Sequence, residues 1–200
     1  MDNILFLNAL TALIVIIDPI GTALIFNALT QGVGTKARIL TACKAIVISV
    51  SLLIVFGMYG QDLLEKLGIS IEALRISGGL LLFYTAFHMV ARRLDYSAPG
   101  GEGDISVFPM SVPLIAGPGT LTMSVLLFSG ASHSSQEVSV VFAVLTVGAI
   151  TLIALILASS VKRIIGKTGD EVLRRFLGVL LAALAIQFIM DGVNVFFNPI

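Results

Sequence analysis

Charge is scarce in this chain. Of its 200 residues, 12 are Lys or Arg, 12 are Asp or Glu and two are His, so charged side chains make up 12%. That is about half the share in a typical globular protein. A soluble ball of this size has too much surface to cover with so few charges, which excludes a soluble enzyme, a nucleic-acid binder and a disordered chain. Basic and acidic residues cancel, and a formal net charge of zero leaves no global field to attract an anionic polymer. Cysteine is almost missing. Cys43 stands alone inside an apolar run, so neither a disulfide framework nor a thiolate metal cluster can be built, and no metal or cofactor is expected. Met1-Asp2-Asn3 lacks the basic start of a signal peptide, and no small-residue cleavage site follows, so the first apolar segment is expected to be retained.

What the chain has in place of charge is apolar length. Hydrophobic residues make up 57%, and the mean hydropathy is +1.05. A spanning helix needs about 20 mainly apolar residues. Six stretches qualify: 4–29, 39–60, 74–91, 106–129, 138–160 and 174–197. The sequence therefore predicts an all-α integral membrane protein of six transmembrane helices with the lipid bilayer as solvent. Its most polar stretch, Arg92 to Asp104, divides the chain almost in half. Orientation follows from the basic residues near helix ends. Lys36, Arg38, Lys44, Arg92, Arg93, Lys162, Arg163, Lys167, Arg174 and Arg175 flank the odd-numbered connections, against Lys66 and Arg75 on the other side. The odd connections should face the cytoplasm, with both termini outside.

The halves resemble each other. Arg75-Ile76-Ser77-Gly78-Gly79-Leu80-Leu81 and Arg175-Phe176-Leu177-Gly178-Val179-Leu180-Leu181 share Arg, Gly and both Leu, and Asp18-Pro19-Ile20-Gly21-Thr22 finds Gly117-Pro118-Gly119-Thr120 at nearly the same offset. Either match alone is weak; together they point to a first repeat over 1–91, a cytoplasmic linker over 92–104 and a second repeat over 105–200. Three helices per repeat is odd, so the second unit enters the membrane from the opposite side. Such inverted repeats are a transporter architecture, with substrate sites in interrupted helices near the repeat interface.

Both candidate interruptions are legible. Ile4 to Ile17 covers about 21 Å as a helix, short of a hydrocarbon core about 30 Å thick, so the Asp18-Pro19 break falls at membrane depth. Pro19 removes a donor and biases Asp18 away from helical angles. In the fourth segment Pro109 and Pro113 precede Gly117-Pro118-Gly119, after which a fresh helix can start at Thr120. Helices 1 and 4 are thus expected to be discontinuous. Free amides at each restart suit an anion, and Thr22 and Thr120 can cap those amides or offer hydroxyls to a substrate. The plainer alternative is a pair of proline kinks with packing glycines.

Asp18 and Asp191 are the only acids well inside the predicted spans, where an ionisable group is functional by default. Asp18 can hold a substrate ammonium, exchange a proton, or cap the restarted helix. Asp191 lies nearer the outer end of the sixth segment, where water access competes with substrate contact. Lys44 can snorkel to the cytoplasmic face, and His88 and His133 read as interface and loop residues. Ser77-Gly78-Gly79, Gly178, and Ala154 with Ala158 read as close helix packing; Gln187 can bond another helix. An intramembrane protease fits poorly. Neither aspartate has a Gly-x-Gly-Asp context, and Ser77 and His88, both within one predicted helix, lie about 16 Å apart along its axis.

These residues resemble the blocks of the MarC family of bacterial and archaeal membrane proteins: Asp18-Pro19-Ile20-Gly21; Gly68-Ile69-Ser70-Ile71 with Leu74 to Gly79; Pro109 to Pro113 with Ala116 to Thr120; and Gln187 to Gly192. The likeness covers essentially the whole chain. It implies six spans, inverted repeats and a prokaryotic plasma-membrane location. In transporting members, the SnatA type, it implies uptake of glycine, alanine or serine with a coupling ion. Carried onto this chain, the substrate lies between Pro19-Ile20-Gly21-Thr22 and Gly117-Pro118-Gly119-Thr120. Where some members have Asn, this chain has Asp18 and Asp191, which are ionisable and bear on coupling. With no nucleotide-binding motif, coupling would be to H⁺ or Na⁺. Export of small metabolites or drugs, and a non-transporting accessory role, are the alternatives.

Overall fold

The computed structural model describes residues 2–30, 32–91 and 104–197. All regular elements among them are helical, with no strand. The helices are α1 (Asn3–Ile17), α2 (Pro19–Leu29), α3 (Thr35–Lys66), α4 (Ile71–Ala91), α5 (Pro118–Ser129), α6 (Ser134–Ile156) and α7 (Ala158–Phe197), and an irregularly wound segment, Ser106–Ile115, precedes α5. Four runs are long and apolar enough to cross a membrane: Asn3–Asn27, Thr35–Lys66, Ser134–Ile156 and Gly178–Val195. A fifth arises if Ser106–Ile115 and Pro118–Ser129, bent by 58° at their junction, count as one. The third predicted segment, 74–91, falls in α4.

Local chemistry accounts for the helix ends. Asp2 caps α1, its Oδ1 accepting from the amides of Ile4 and Leu5 at 3.1 Å each. Its own amide donates to the Ser139 hydroxyl at 2.7 Å, and the Gln136 side-chain amide reaches Oδ2 at 3.4 Å, so the same residue ties α1 to the start of α6. α3 ends in a glycine turn: Gly68 adopts φ +70°, its amide donates to the Glu65 carbonyl, and the Ile69 amide donates to the Leu64 carbonyl. Both of these bonds serve carbonyls that the helix end would leave bare. Ser70 then caps α4, accepting from the Ala73 amide at 3.2 Å.

Two stretches differ from the sequence expectation. The first half of the fourth segment is not an α-helix, because Phe108 and Val112, each preceding a proline, take extended angles. Pro109 and Pro113 each remove a donor and bar the helical region to the residue before them, and four-residue spacing leaves no turn in which to recover. The expected connection after the fifth segment is also different. The backbone from Ala158 to Phe197 is one helix of 40 residues, about 60 Å long, and the break comes earlier, at Leu157. That stretch contains Gly166 and Gly169 but no proline, and isolated glycines cost a helix only about 1 kcal/mol each. The predicted linker lies outside the described residues apart from Asp104.

The two halves interlock. α3 packs on α5, α6 and the wound segment, and α4 packs on α7 and α5. Exchanging the halves returns the same main set of contacts: α1 on α6 matches the wound segment on α3, α2 on α6 matches α5 on α3, α2 on α7 matches α5 on α4, and α1 on α5 matches α2 on the wound segment. A single buried cluster contains Leu13, Ile17 and Phe26 from the first half and Met110, Ile115 and Val144 from the second. Apolar residues also cover the outside (Ile4, Val47, Leu80, Phe87, Ile153 and Val179 are exposed), as a lipid-facing surface requires. Lipid supplies no hydrophobic drive between helices, so association rests on close approach and hydrogen bonds. At Gly79 an added Cβ would lie 2.8 Å from the Ala185 carbonyl oxygen, and at Gly192 3.0 Å from that of Glu72, so α4 and α7 meet backbone to backbone. The Ser124 hydroxyl donates to the Leu53 carbonyl at 2.7 Å, and that of Ser111 to Ala45 at 3.0 Å, fastening α3 to the second half.

The bond from the Leu5 amide, followed by that from Gln136, holds the Asp2 carboxyl below its ordinary value. A lowered folded-state pKa gives stability that is present above the unfolded value, about 3.9, and is lost as pH falls through the folded one. The melting temperature in detergent should therefore drop in acid below that value, and Asp2→Asn should flatten the drop. An unchanged acid limb in Asp2→Asn would remove Asp2 as its source.

Candidate functional site

The two predicted interruptions are local solutions to the same problem. Asp18 separates α1 from α2 with φ 47° and ψ 73°, the left-handed region that Asp tolerates better than most residues. Its amide still donates to the Ile14 carbonyl at 3.0 Å, and its carbonyl accepts from the Thr22 amide at 2.9 Å. Its Oδ1 accepts from the Gly21 amide at 3.0 Å, so Asp18 is the N-cap of α2 while Pro19 takes the first helical position, where no donor is needed. A Cβ at Gly21 would run into this carboxylate. The buried Thr22 hydroxyl donates back to the Ile17 carbonyl at 2.8 Å.

The second restart is built differently. α5 begins at Pro118 with Gly117 as a cap that has no side chain to offer. The Leu121 amide donates to the Gly117 carbonyl at 2.9 Å, and the Ala116 amide to that of Ser111 at 2.8 Å. Gly117 abuts the Pro113 carbonyl and Gly119 abuts Leu82, so neither position has room for a side chain. Thr120 is buried. The α2 restart thus carries a carboxylate and the α5 restart does not.

The predicted residues group unevenly. Ile17 and Ala23, which bracket the first break, belong to the same buried cluster as Ile115 and Ala116, which lead into the second. Thr22 and Thr120 are both buried, whereas Ile20 is 43% exposed and Pro118, its counterpart in the other half, is exposed as well. Asp191 is apart from this arrangement in the fold's bonding. It lies on α7, and its Oδ1 accepts from the Gln187 side-chain amide one turn back at 2.6 Å. Lys44 pairs with Asp104 at 3.4 Å, both about half exposed. The Ser106 hydroxyl, above all, holds the Asp104 carboxyl below its usual range, and the Ser106 amide adds to that.

One feature was missed by sequence reasoning. A cavity of about 240 Å³ is lined by Gly57, Gln61 and Asp62 of α3, Phe128 and Ser129 of α5, and Glu137 of α6. None of these residues stands in a motif, and only the packing of three helices brings them together. Gly57 abuts Phe128 and Ser124, the close approach that shapes the cavity's inner wall.

Apolar helices able to span a bilayer, interlocked through buried small and polar residues, define a multi-pass α-helical membrane protein. The MarC family integral membrane protein model matches residues 4–197, and the chain belongs to that family. A UPF0056 membrane protein of Methanocaldococcus jannaschii is 32% identical over 201 residues, covering 97% of this chain and 98% of its own length. The UPF0056 membrane protein YvbG of Bacillus subtilis is 30% identical over 192 residues, 92% and 91% of the two chains. The UPF0056 inner membrane protein YhgN of Escherichia coli is 30% identical over 191 residues, 94% and 95%. These names are those of membrane proteins and not of enzymes. No solved structure matches the chain.

Asp18→Ala should destabilise the protein by about 2 kcal/mol, since it removes a cap and places Ala at positive φ. Asp18→Asn keeps both features and should melt close to the wild type. Equal losses in the two variants would contradict the capping role.

Proposed function

We propose that the chain is a secondary transporter of a small neutral amino acid, of the glycine, alanine and serine class, working by alternating access. The observation that carries this reading is the unlike pair of helix restarts flanked by one buried cluster. A zwitterion presents an ammonium and a carboxylate a few ångströms apart. Asp18 offers negative charge beside the α2 restart, and the amides of Gly119 and Thr120, at an N-terminus with no side-chain cap, offer donors to a carboxylate. Pro19, Ile20, Gly21 and Thr22 form one wall of the site in this reading, and Gly117, Pro118, Gly119 and Thr120 the other.

Six spans in two inverted repeats, with the first and fourth discontinuous, fit the packing, whose main contacts recur when the halves are exchanged. Alternating access in such folds moves one repeat against the other. The distribution of basic residues supports both termini outside the plasma membrane. Asp18 and Asp191 are the candidates for H⁺ or Na⁺ coupling; the bond from Gln187 and the half-exposed position of Asp191 favour Asp18 for the substrate.

Purified protein reconstituted in lipid should bind glycine or alanine saturably and carry it into liposomes with a dependence on pH or sodium. Asp18→Asn should weaken binding about tenfold or more, as loss of one charge-assisted contact implies, while the fold is kept. Absence of both binding and flux in a folded, reconstituted sample would overturn the proposal.

A further inference from the structure

We infer that Arg38 is the receptor for an oxyanion, a carboxylate or phosphate group, at the corner between α2 and α3. Arg38 lies in the first turn of α3, where its amide donates to the Gly34 carbonyl at 3.0 Å. Its guanidinium reaches back over α2 and stands 5.5 Å from the centre of the Phe26 ring. Phe26 is fully buried, so this contact fixes the cation against the protein rather than leaving it to drift in solvent. Nε and Nη2 are sealed from solvent and have no hydrogen-bond partner among the described residues.

Those two atoms have a specific chemistry. A guanidinium stays protonated at any accessible pH, so it cannot shed the charge to escape burial. The contact with the ring supplies neither N–H with an oxygen acceptor. Nε and Nη2 share one edge of the group, and their N–H bonds point the same way, as a fork that takes two oxygens of one carboxylate or phosphate. Two acceptors among the described residues are already engaged. The Phe26 carbonyl near the end of α2 accepts from both the amide and the hydroxyl of Thr30, and Asp104 pairs with Lys44. Arg38 is itself only partly covered, so its guanidinium stands near the surface, where an oxyanion reaches the fork while the contact with Phe26 is kept.

A phospholipid headgroup and a soluble anion both offer this chemistry. The test uses protein in a maltoside detergent, which carries no phosphate or carboxylate. Its melting temperature is measured with acetate, with inorganic phosphate and with phosphatidylglycerol, each against chloride at equal ionic strength. At least one of the three should raise it, and Arg38→Met should abolish that rise. A response to phosphatidylglycerol alone assigns a lipid headgroup, and a response to acetate or phosphate assigns a soluble anion. Arg38→Lys keeps the charge but loses the fork, and its apparent affinity for the responding anion should fall about tenfold, which keeps the question answerable if Arg38→Met fails to fold. No response from the wild type to any of the three, or an equal response from Arg38→Met or Arg38→Lys, overturns the assignment.

Discussion

A peptide N–H or C=O left without a partner in hydrocarbon costs several kcal/mol, and the layout of this protein follows from where the chain incurs that problem and how it answers. Pro19 breaks the hydrogen-bond ladder at the end of α1. Within five residues the Asp18 carbonyl and carboxylate, the Gly21 and Thr22 amides and the Thr22 hydroxyl have bonded one another or the last turn of α1. The break is thereby satisfied locally, and a carboxylate stays there as part of the repair. At the second break the repair uses backbone alone, through Ser111, Gly117 and Leu121, which leaves the start of α5 without a capping side chain.

The same constraint governs packing. Serine and threonine hydroxyls in the interior donate to carbonyls, either one turn back, as Ser49 to Ala45 and Thr151 to Val147, or across to another helix, as Ser124 to Leu53. Glycines let backbones meet where such bonds or bare contact must do what hydrophobic drive does in water. Because α3 and α4 find their principal partners in the other half of the chain, movement of one half against the other would shear the interface between α4 and α7, where Gly79 and Gly192 sit. Among the described residues Arg38 is the exception to the rule of satisfied polar groups, and for that reason it marks a place where something outside the chain belongs.

Much of this was legible in the sequence, for reasons that can be named. Apolar length marks the helices, and Asp18-Pro19 and Gly117-Pro118 mark places where one helical element ends and the next begins, because proline's missing donor acts wherever it stands. The family followed from ordered blocks along the whole chain. What was not legible depended on more than local chemistry. The winding of 106–115 arises from two prolines acting together, and the length of α7 from glycines too weak to stop it. Whether Asp18 caps α2 or faces a ligand turns on one side-chain rotamer. The cavity beside Asp62 and Glu137 needs three helices brought together, and the bare fork of Arg38 needs knowledge of what Thr30 and Lys44 already hold.

The central claim is that a small amino acid lies between the two restarts, its carboxylate on the amides that open α5. Solid-state NMR on the protein in lipid, loaded with ¹³C-carboxyl glycine and labelled with ¹⁵N-threonine, reads that distance directly. The account predicts carbon–nitrogen dephasing at Thr120 corresponding to a separation of about 4 Å, as a hydrogen-bonded carboxylate requires. Bound glycine with no dephasing at Thr120 would contradict it.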